Sequence, residues 1–142
     1  MKTASLALAA VLIVLPCAAT MARAQTYVAA YPSGQRVYQY QDSFLAAYPS
    51  GERLYKWDGQ YISRYPSGER LYKFDGEYFL RYPSGGRLCA YEGQYIKEYP
   101  SGRRLFLYDG KFLRRYPSGE RIWQVDGILP VALIIGLATG LL

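Results

Sequence analysis

The sequence contains no histidine and no asparagine, and its only cysteines are Cys17 and Cys89. Histidine is the commonest general base and a frequent metal ligand, so its absence argues against most hydrolytic and metal-dependent mechanisms. Cys17 lies in a predicted leader, which leaves Cys89 without a partner and predicts that the exported chain has no internal disulfide.

In contrast, a unit of seventeen residues recurs along most of the chain. Its clearest copy, Tyr48 to Arg64, reads YPSGERLYKWDGQYISR. Six copies cover residues 31–127 without a gap, and they begin at Tyr31, Tyr48, Tyr65, Tyr82, Tyr99 and Tyr116. An unbroken period of this kind is typical of repeat proteins, in which each unit buries its apolar side only against its neighbours.

Each copy has the pattern of a β-hairpin followed by a connecting turn. Pro, Ser and Gly near its start favour a turn, and Arg53–Trp57 alternates polar and apolar residues as a half-buried strand does. The Asp-Gly pair that follows favours a two-residue hairpin turn. The sequence therefore predicts an all-β fold of tandem 17-residue hairpins, arranged as an elongated, twisted antiparallel meander.

A two-residue turn also predicts how the strands pair within the hairpin. Trp57 would then face Gln60, and Tyr55 would face Ile62. One face would carry Tyr55, Trp57, Ile62 and Tyr65, and the other Leu54 and Tyr61. Cys89 replaces the aromatic residue that other copies carry at the position of Tyr55. We expect it to be a small buried substitute, with an intermolecular disulfide as the alternative.

The two ends of the chain differ from the repeats. Residues 1–24 combine the basic Lys2, the apolar stretch Ala4–Leu15 and Ala22-Arg23-Ala24, which predicts a secretory signal peptide cleaved before Gln25. An uncleaved anchor and a lipidated Cys17 are the alternatives. We expect an exported, periplasmic or cell-surface protein, with residues 25–30 as a short lead-in that can form an edge strand.

Residues 128–142 read ILPVALIIGLATGLL and carry no charge. A helix of this length would span ~22 Å, less than a hydrocarbon core of ~30 Å. Three alternatives stay open: a membrane anchor or self-associating helix, a segment that caps the last hairpin, or part of a longer membrane segment. Gly136 and Gly140, four residues apart, fit self-association.

The charge balance of the exported chain is mildly positive. Without Lys2 and Arg23, 15 basic and 11 acidic side chains remain of the 17 and 11 in the whole sequence, a net charge of +4. This favours weak attraction to anionic envelope surfaces and argues against nucleic acid as a partner. Lys111, Arg114 and Arg115 precede the tail, and we expect them to form a membrane-facing end.

The residues that could carry chemistry lie mostly in turns. The recurring carboxylates at the hairpin turns suit turn geometry, and they could bind calcium only if several turns converged. The recurring serines have no base near them in sequence. We therefore expect no catalytic site, no metal and no cofactor.

Two ladders are the better candidates for a binding surface. An arginine and a tyrosine recur in every copy, the arginine five residues after the first tyrosine. The candidate binding residues are Tyr48, Arg53, Trp57, Tyr65, Arg70, Tyr82, Arg87, Tyr99, Arg104, Tyr116 and Arg121. They could bind sugars, anionic polymers or lipid headgroups, or they could be structural, with each guanidinium stacked on a tyrosine and bonded to turn carbonyls.

The pattern Tyr-Pro-Ser-Gly-x-Arg-Leu, an aromatic strand and Asp-Gly, from Tyr31 to Gly127, resembles bacterial MORN-type repeats. It resembles the YD repeats of Rhs-type surface proteins less closely, and aromatic choline-binding hairpins in architecture only. The MORN resemblance implies an elongated scaffold that contacts proteins or membranes, without catalysis. We therefore expect a scaffold or binding module at the cell envelope, or alternatively a binder of wall polysaccharide.

Overall fold

The computed structural model describes residues 25–142, so the predicted signal peptide lies outside the described part of the chain. The described chain consists of a run of short antiparallel strands followed by one helix. The elements are β1 (Thr26–Ala30), β2 (Arg36–Gln41), β3 (Phe44–Ala47), β4 (Arg53–Trp57), β5 (Tyr61–Arg64), β6 (Arg70–Phe74), β7 (Tyr78–Arg81), β8 (Arg87–Glu92), β9 (Tyr95–Glu98), β10 (Arg104–Tyr108), β11 (Phe112–Arg115), β12 (Arg121–Asp126) and α1 (Val131–Thr139). The predicted hairpin meander and helical tail are thereby confirmed.

The predicted elongated, open arrangement is wrong, because the meander closes into a barrel. Each strand pairs with the next in sequence, and β1 pairs with β12, with Val28 opposite Val125. The sixth copy has no returning strand of its own, since the chain turns into the apolar tail after Gly127. The lead-in strand β1 takes the position of that missing returning strand beside β12. The sheet therefore has no free edge.

The interior of the barrel repeats with the period of the sequence. Each returning strand, and β1 with them, directs one almost fully buried side chain inward. These residues are Val28, Leu45, Ile62, Phe79, Ile96 and Leu113. Cys89 is buried against the same cluster, as predicted for a small substitute.

The predicted pairing within the hairpins is wrong by two residues. Trp57 pairs with Ile62, and Tyr55 pairs with Arg64. The cause lies in the turn, where Asp58 Oδ1 accepts hydrogen bonds from the backbone N–H groups of Gln60 and Tyr61 at 2.9 and 2.7 Å. The turn is therefore longer than the two-residue type.

The assignment of the two faces is correct for most of the hairpin and wrong at both ends. The side chains at the positions of Tyr55, Trp57 and Ile62 pack toward the interior as predicted. A β-bulge between each returning strand and the next copy turns the leucine after the ladder arginine inward, so that Leu71 and Leu88 also pack against the core. Tyr65 lies on the exterior, against Phe44.

Helix α1 fills the barrel. Its residues Ala132–Leu137 are all buried, and because six consecutive residues cover every side of a helix, the helix is enclosed on all sides. Closed barrels with about this number of strands have room for a central helix. The tail therefore packs within all six copies rather than over the last one.

The ends of the tail are fixed by specific contacts with the barrel. Thr26 Oγ1 donates a hydrogen bond to the carbonyl of Ile128 at 2.8 Å, and Tyr72 Oη donates one to the carbonyl of Leu141 at 3.4 Å. Gly140 caps the helix with φ of 73°, and a Cβ on Gly136 would collide with the side chain of Leu142. Gly136 is buried in the barrel while Gly140 is exposed at the end of α1, so the two do not form one open face for a second helix. Self-association through the tail stays a prediction. Within residues 25–142, no helix has the length and apolar character needed to cross a membrane.

Gly127 is the residue at which the chain leaves the wall, and we expect it not to tolerate a side chain. Its φ is 118°, and a Cβ there would lie 3.2 Å from Thr26 Cα. Gly110 is the matched control, because it has φ of 94° at the equivalent turn and open space around it. Gly110→Ala should cost only backbone strain, about 1–2 kcal/mol. Gly127→Ala should cost about 3 kcal/mol or more by urea unfolding, because backbone strain adds to a collision with Thr26 Oγ1, which would lie 2.6 Å from the new Cβ. Equal costs would contradict the close approach of Gly127 to β1.

Candidate functional site

The predicted arginine ladder lies on the outside of the barrel, and each arginine rests on an aromatic ring. Arg70 Cζ lies 4.1 Å from the ring centre of Tyr61, a residue of the preceding strand, and 6.0 Å from that of Tyr82. The same contact recurs in every copy, with 3.8–4.1 Å to the first ring and 5.6–6.0 Å to the second. Such contacts contribute about 0.5–1 kcal/mol at exposed positions.

The two rings of each unit also contact one another. Tyr61 and Tyr82 meet edge to face at 5.3 Å between ring centres, with an angle of 78° between their planes. The contact of Phe112 with Tyr31, at 5.9 Å, links the last copies to the first across the closure. We call this surface the arginine–aromatic belt. It comprises Arg36, Arg53, Arg70, Arg87, Arg104 and Arg121; the supporting rings Tyr27, Phe44, Tyr61, Tyr78, Tyr95 and Phe112; and the outer tyrosines Tyr31, Tyr48, Tyr65, Tyr82, Tyr99 and Tyr116.

The belt contains all the candidate binding residues except Trp57. That side chain is half-buried and packs against the interior cluster, since the hairpin alternation directs it inward. The outer tyrosines, in contrast, include five of the six exposed large hydrophobic side chains of the described chain, at 38–41%. Sequence reasoning missed the supporting rings. They could have been found in the sequence, because an aromatic residue stands nine positions before each ladder arginine.

Shallow grooves lie along the outer wall beside the belt. One groove of about 360 Å³ includes Phe44, Lys56 and Arg70 in its lining. A second, of about 230 Å³, includes Tyr61 and Lys73, which are the equivalents of Phe44 and Lys56 one copy later. The outer wall thus offers similar basic and aromatic grooves in successive copies.

The three residues expected at a membrane-facing end do not form one cluster. Lys111 precedes β11 and Arg115 ends it, so they lie toward opposite ends of the barrel. Arg114 forms an ion pair with Asp109 at 3.2 Å, and Arg115 pairs with Glu120 at 3.4 Å. Arg115 also lines a cavity of about 750 Å³ beside the end of α1.

The carboxylates of the hairpin turns accept hydrogen bonds from the backbone of their own turns. Asp58, Asp75 and Asp109 each accept two backbone N–H bonds at 2.7–2.9 Å within their own turns. Within residues 25–142, no three acidic or cysteine side chains converge as a metal site would require. Burial raises the pKa of Tyr108 to about 12.

Asp75 gives a test of this role through its pH dependence. The N–H of Tyr78 lowers the pKa of Asp75 below its ordinary value; burial opposes this shift, and the N–H of Glu77 adds to it. The turn bonds should therefore stabilise the fold above the ordinary pKa of Asp and be lost as pH falls through the lowered value. We expect the urea midpoint to fall between about pH 5 and pH 2, and Asp75→Asn, which cannot titrate, to remove part of that fall. A carboxyl NMR titration at or above the ordinary pKa would contradict the turn bonds.

The chain matches no protein-family model, no curated protein and no solved structure. The resemblance to MORN-type repeats therefore stays a prediction.

Proposed function

We propose that this protein is a non-catalytic binding module of the cell envelope, and that the arginine–aromatic belt is its binding surface. The observation that carries the proposal is the ring of exposed tyrosines beside stacked guanidinium groups, repeated around the barrel. Tyrosine and arginine are the residue types that contribute most at binding surfaces, because each combines a large contact area with directed hydrogen bonds. The predicted leader supports placement in the periplasm or at the cell surface.

The outer belt supports this function better than the apolar tail does. Membrane anchoring through residues 128–142 would require α1 to leave the interior, where Leu133 and Ile135 are fully buried. Its departure would leave the inward-facing side chains of the barrel, such as Leu45 and Ile62, open to water, which costs about 1.5–3 kcal/mol each. We therefore propose contact through the outer wall, with the tail acting as the core of the barrel.

Repetition favours a repeating partner over a single protein epitope. Equivalent units recur every second strand, about 10 Å apart, around the whole circumference. A polymer can occupy several such units at once, and linked weak contacts raise the overall affinity without any new contact. Wall polysaccharide is thus the leading partner, and a scaffold for envelope proteins is the second candidate, because arginine and tyrosine also dominate protein interfaces.

Co-sedimentation tests the proposal with residues 25–142 as one chain. We expect the protein to pellet with purified cell-wall sacculi, and Tyr65→Ser with Tyr82→Ser to reduce the pelleted fraction severalfold. Trp57 lies inside the barrel, so Trp57→Phe is the control and should pellet normally. Pelleting with liposomes alone would overturn the proposal in favour of membrane contact. If the protein pellets with neither sacculi nor liposomes, the protein-scaffold candidate remains, to be tested by cross-linking in intact cells.

A further inference from the structure

The ladder arginines are stacked on aromatic rings while their hydrogen-bond donors stay unused by the protein. Within residues 25–142, none of the six guanidinium groups donates a hydrogen bond or forms an ion pair. The expected bonds from these groups to turn carbonyls are therefore not formed. Arg103, a turn residue outside the ladder, does form an ion pair, with Glu98 at 2.7 Å. The ladder guanidinium groups thus present a row of unpaired donors on the outer surface.

The nearby turn carboxylates do not form ion pairs with the ladder arginines. Asp58 and Asp75 direct one oxygen to two backbone N–H groups of their own turns, and neither forms an ion pair in the described chain. Asp109 pairs with Arg114 rather than with the ladder residue Arg121. Arg70, Arg87 and Arg121 act through space on the carboxylates of Asp58, Asp75 and Asp109 without forming ion pairs with them. What the ladder offers to an external anion is therefore its unpaired N–H donors rather than an uncompensated charge.

The chemistry of the belt fits a carboxylate attached to a ring. A guanidinium presents parallel N–H groups that match the two oxygens of a carboxylate, and its stacking between rings lowers the entropy lost on binding. The neighbouring tyrosine offers an apolar ring and a hydroxyl, which suits the mixed surface of a sugar. Lys56 and Lys73 line the grooves beside the belt, the first together with Asp58.

We propose that the belt binds an acidic polysaccharide whose sugar units carry carboxylates, each bound by one ladder arginine beside an outer tyrosine. This inference rests on the proposed binding function and specifies its ligand class. A polymer of phosphates would engage the arginines but not the tyrosine rings. Nucleic acid would need a denser positive surface than a chain with net charge +4 provides.

The test compares two forms of one sugar polymer by isothermal titration with residues 25–142. Polygalacturonate carries a carboxylate on each ring, and its fully methyl-esterified form has the same rings without the charge. We expect at least about tenfold tighter binding of the charged form, with affinity falling as salt rises. Equal binding of both forms would overturn the role of the arginines. Equal or tighter binding of polyphosphate of similar length would show that charge alone suffices and would also overturn the proposal.

A pair of charge-conserving variants separates the arginine fork from net charge. Arg70→Lys with Arg87→Lys keeps the charge but removes the planar fork, and should weaken polygalacturonate binding about tenfold. Arg103→Lys with Arg115→Lys is the control outside the ladder, and should change binding less than about twofold. Equal losses in the two double variants would overturn the proposal. Circular dichroism checks the fold of each, and Arg70→Lys alone serves the same comparison if the double variant unfolds.

The outcomes also separate the ligand class from the binding function. If residues 25–142 pellet with sacculi but do not bind polygalacturonate, the ligand class is wrong and the binding function remains. If neither sacculi nor polygalacturonate is bound, polysaccharide binding fails together with the ligand class, and only the protein-scaffold candidate remains.

Discussion

Leu133→Asp should abolish the cooperative unfolding transition of the chain, or lower its free energy of unfolding by at least about 4 kcal/mol. Leu133 is fully buried in the hydrophobic cluster inside the barrel. Large buried side chains of α1 stabilise the fold by about 1.5–3 kcal/mol each. Replacing such a side chain with a charged one removes this stabilisation and adds the free-energy cost of burying the charge.

Ile128→Asp is the matched control, because it makes the same exchange in the same apolar segment. Ile128 is 88% exposed, so its replacement should change stability by less than about 0.5 kcal/mol. Urea unfolding followed by tyrosine fluorescence measures both variants. If the two substitutions have equal effects, the tail does not fill the barrel, and its interpretation as a free anchor becomes the better one.

Removing residues 25–30 should convert a monomer into aggregates or oligomers. These residues contain β1, which pairs with both β2 and β12 and directs Val28 into the interior. Without β1, both neighbouring strands would expose unpaired backbone groups, which are templates for pairing with another chain. Tyr31, which directly follows β1, would also no longer be held against Phe112.

Size-exclusion chromatography with light scattering measures this effect. The chain that begins at Gln25 is the control and should run as a monomer. Val28→Asp should reproduce the effect of the deletion without shortening the chain, because it disrupts the same strand from the inside. A stable monomer after deletion of residues 25–30 would show that the meander does not depend on β1 for closure.

Local features of the fold could be predicted from the sequence, because they repeat. The period placed each hairpin, and alternation identified Tyr55, Trp57 and Ile62 as one face. The pairing across each hairpin could not be predicted from Asp-Gly alone. The side chain of Asp58 captures two backbone N–H groups, and that competing hydrogen bonding lengthens the turn.

Closure was not predicted because it depends on the accumulated twist and coil of all the hairpins. The pairing of β1 with β12 joins residues about a hundred positions apart, beyond the reach of local pattern reasoning. A signal was nevertheless present. Residues 26–30, TYVAA, stand directly before a YPSG turn, as every returning strand does, and the sixth copy lacks its own returning strand.

The position of the tail illustrates how one composition fits two environments. Residues 128–142 are apolar on all sides, as expected both of a membrane segment and of a helix buried inside a protein. Its short length was the only local hint in favour of burial. The arrangement of the belt depended equally on closure, since the partner of Tyr31 is Phe112, at the far end of the repeats.

Small-angle X-ray scattering of residues 25–142 tests the central claim most directly, because the closed barrel and the open meander differ in size. A compact chain of this length has a radius of gyration of about 14 Å. An open meander of this many strands would extend on the order of 55–60 Å, giving a radius of gyration above about 17 Å. A monomer near the smaller value is the result that closure around α1 predicts. A monomer near the larger value would contradict the barrel, and with it the continuous belt on which the proposed function rests.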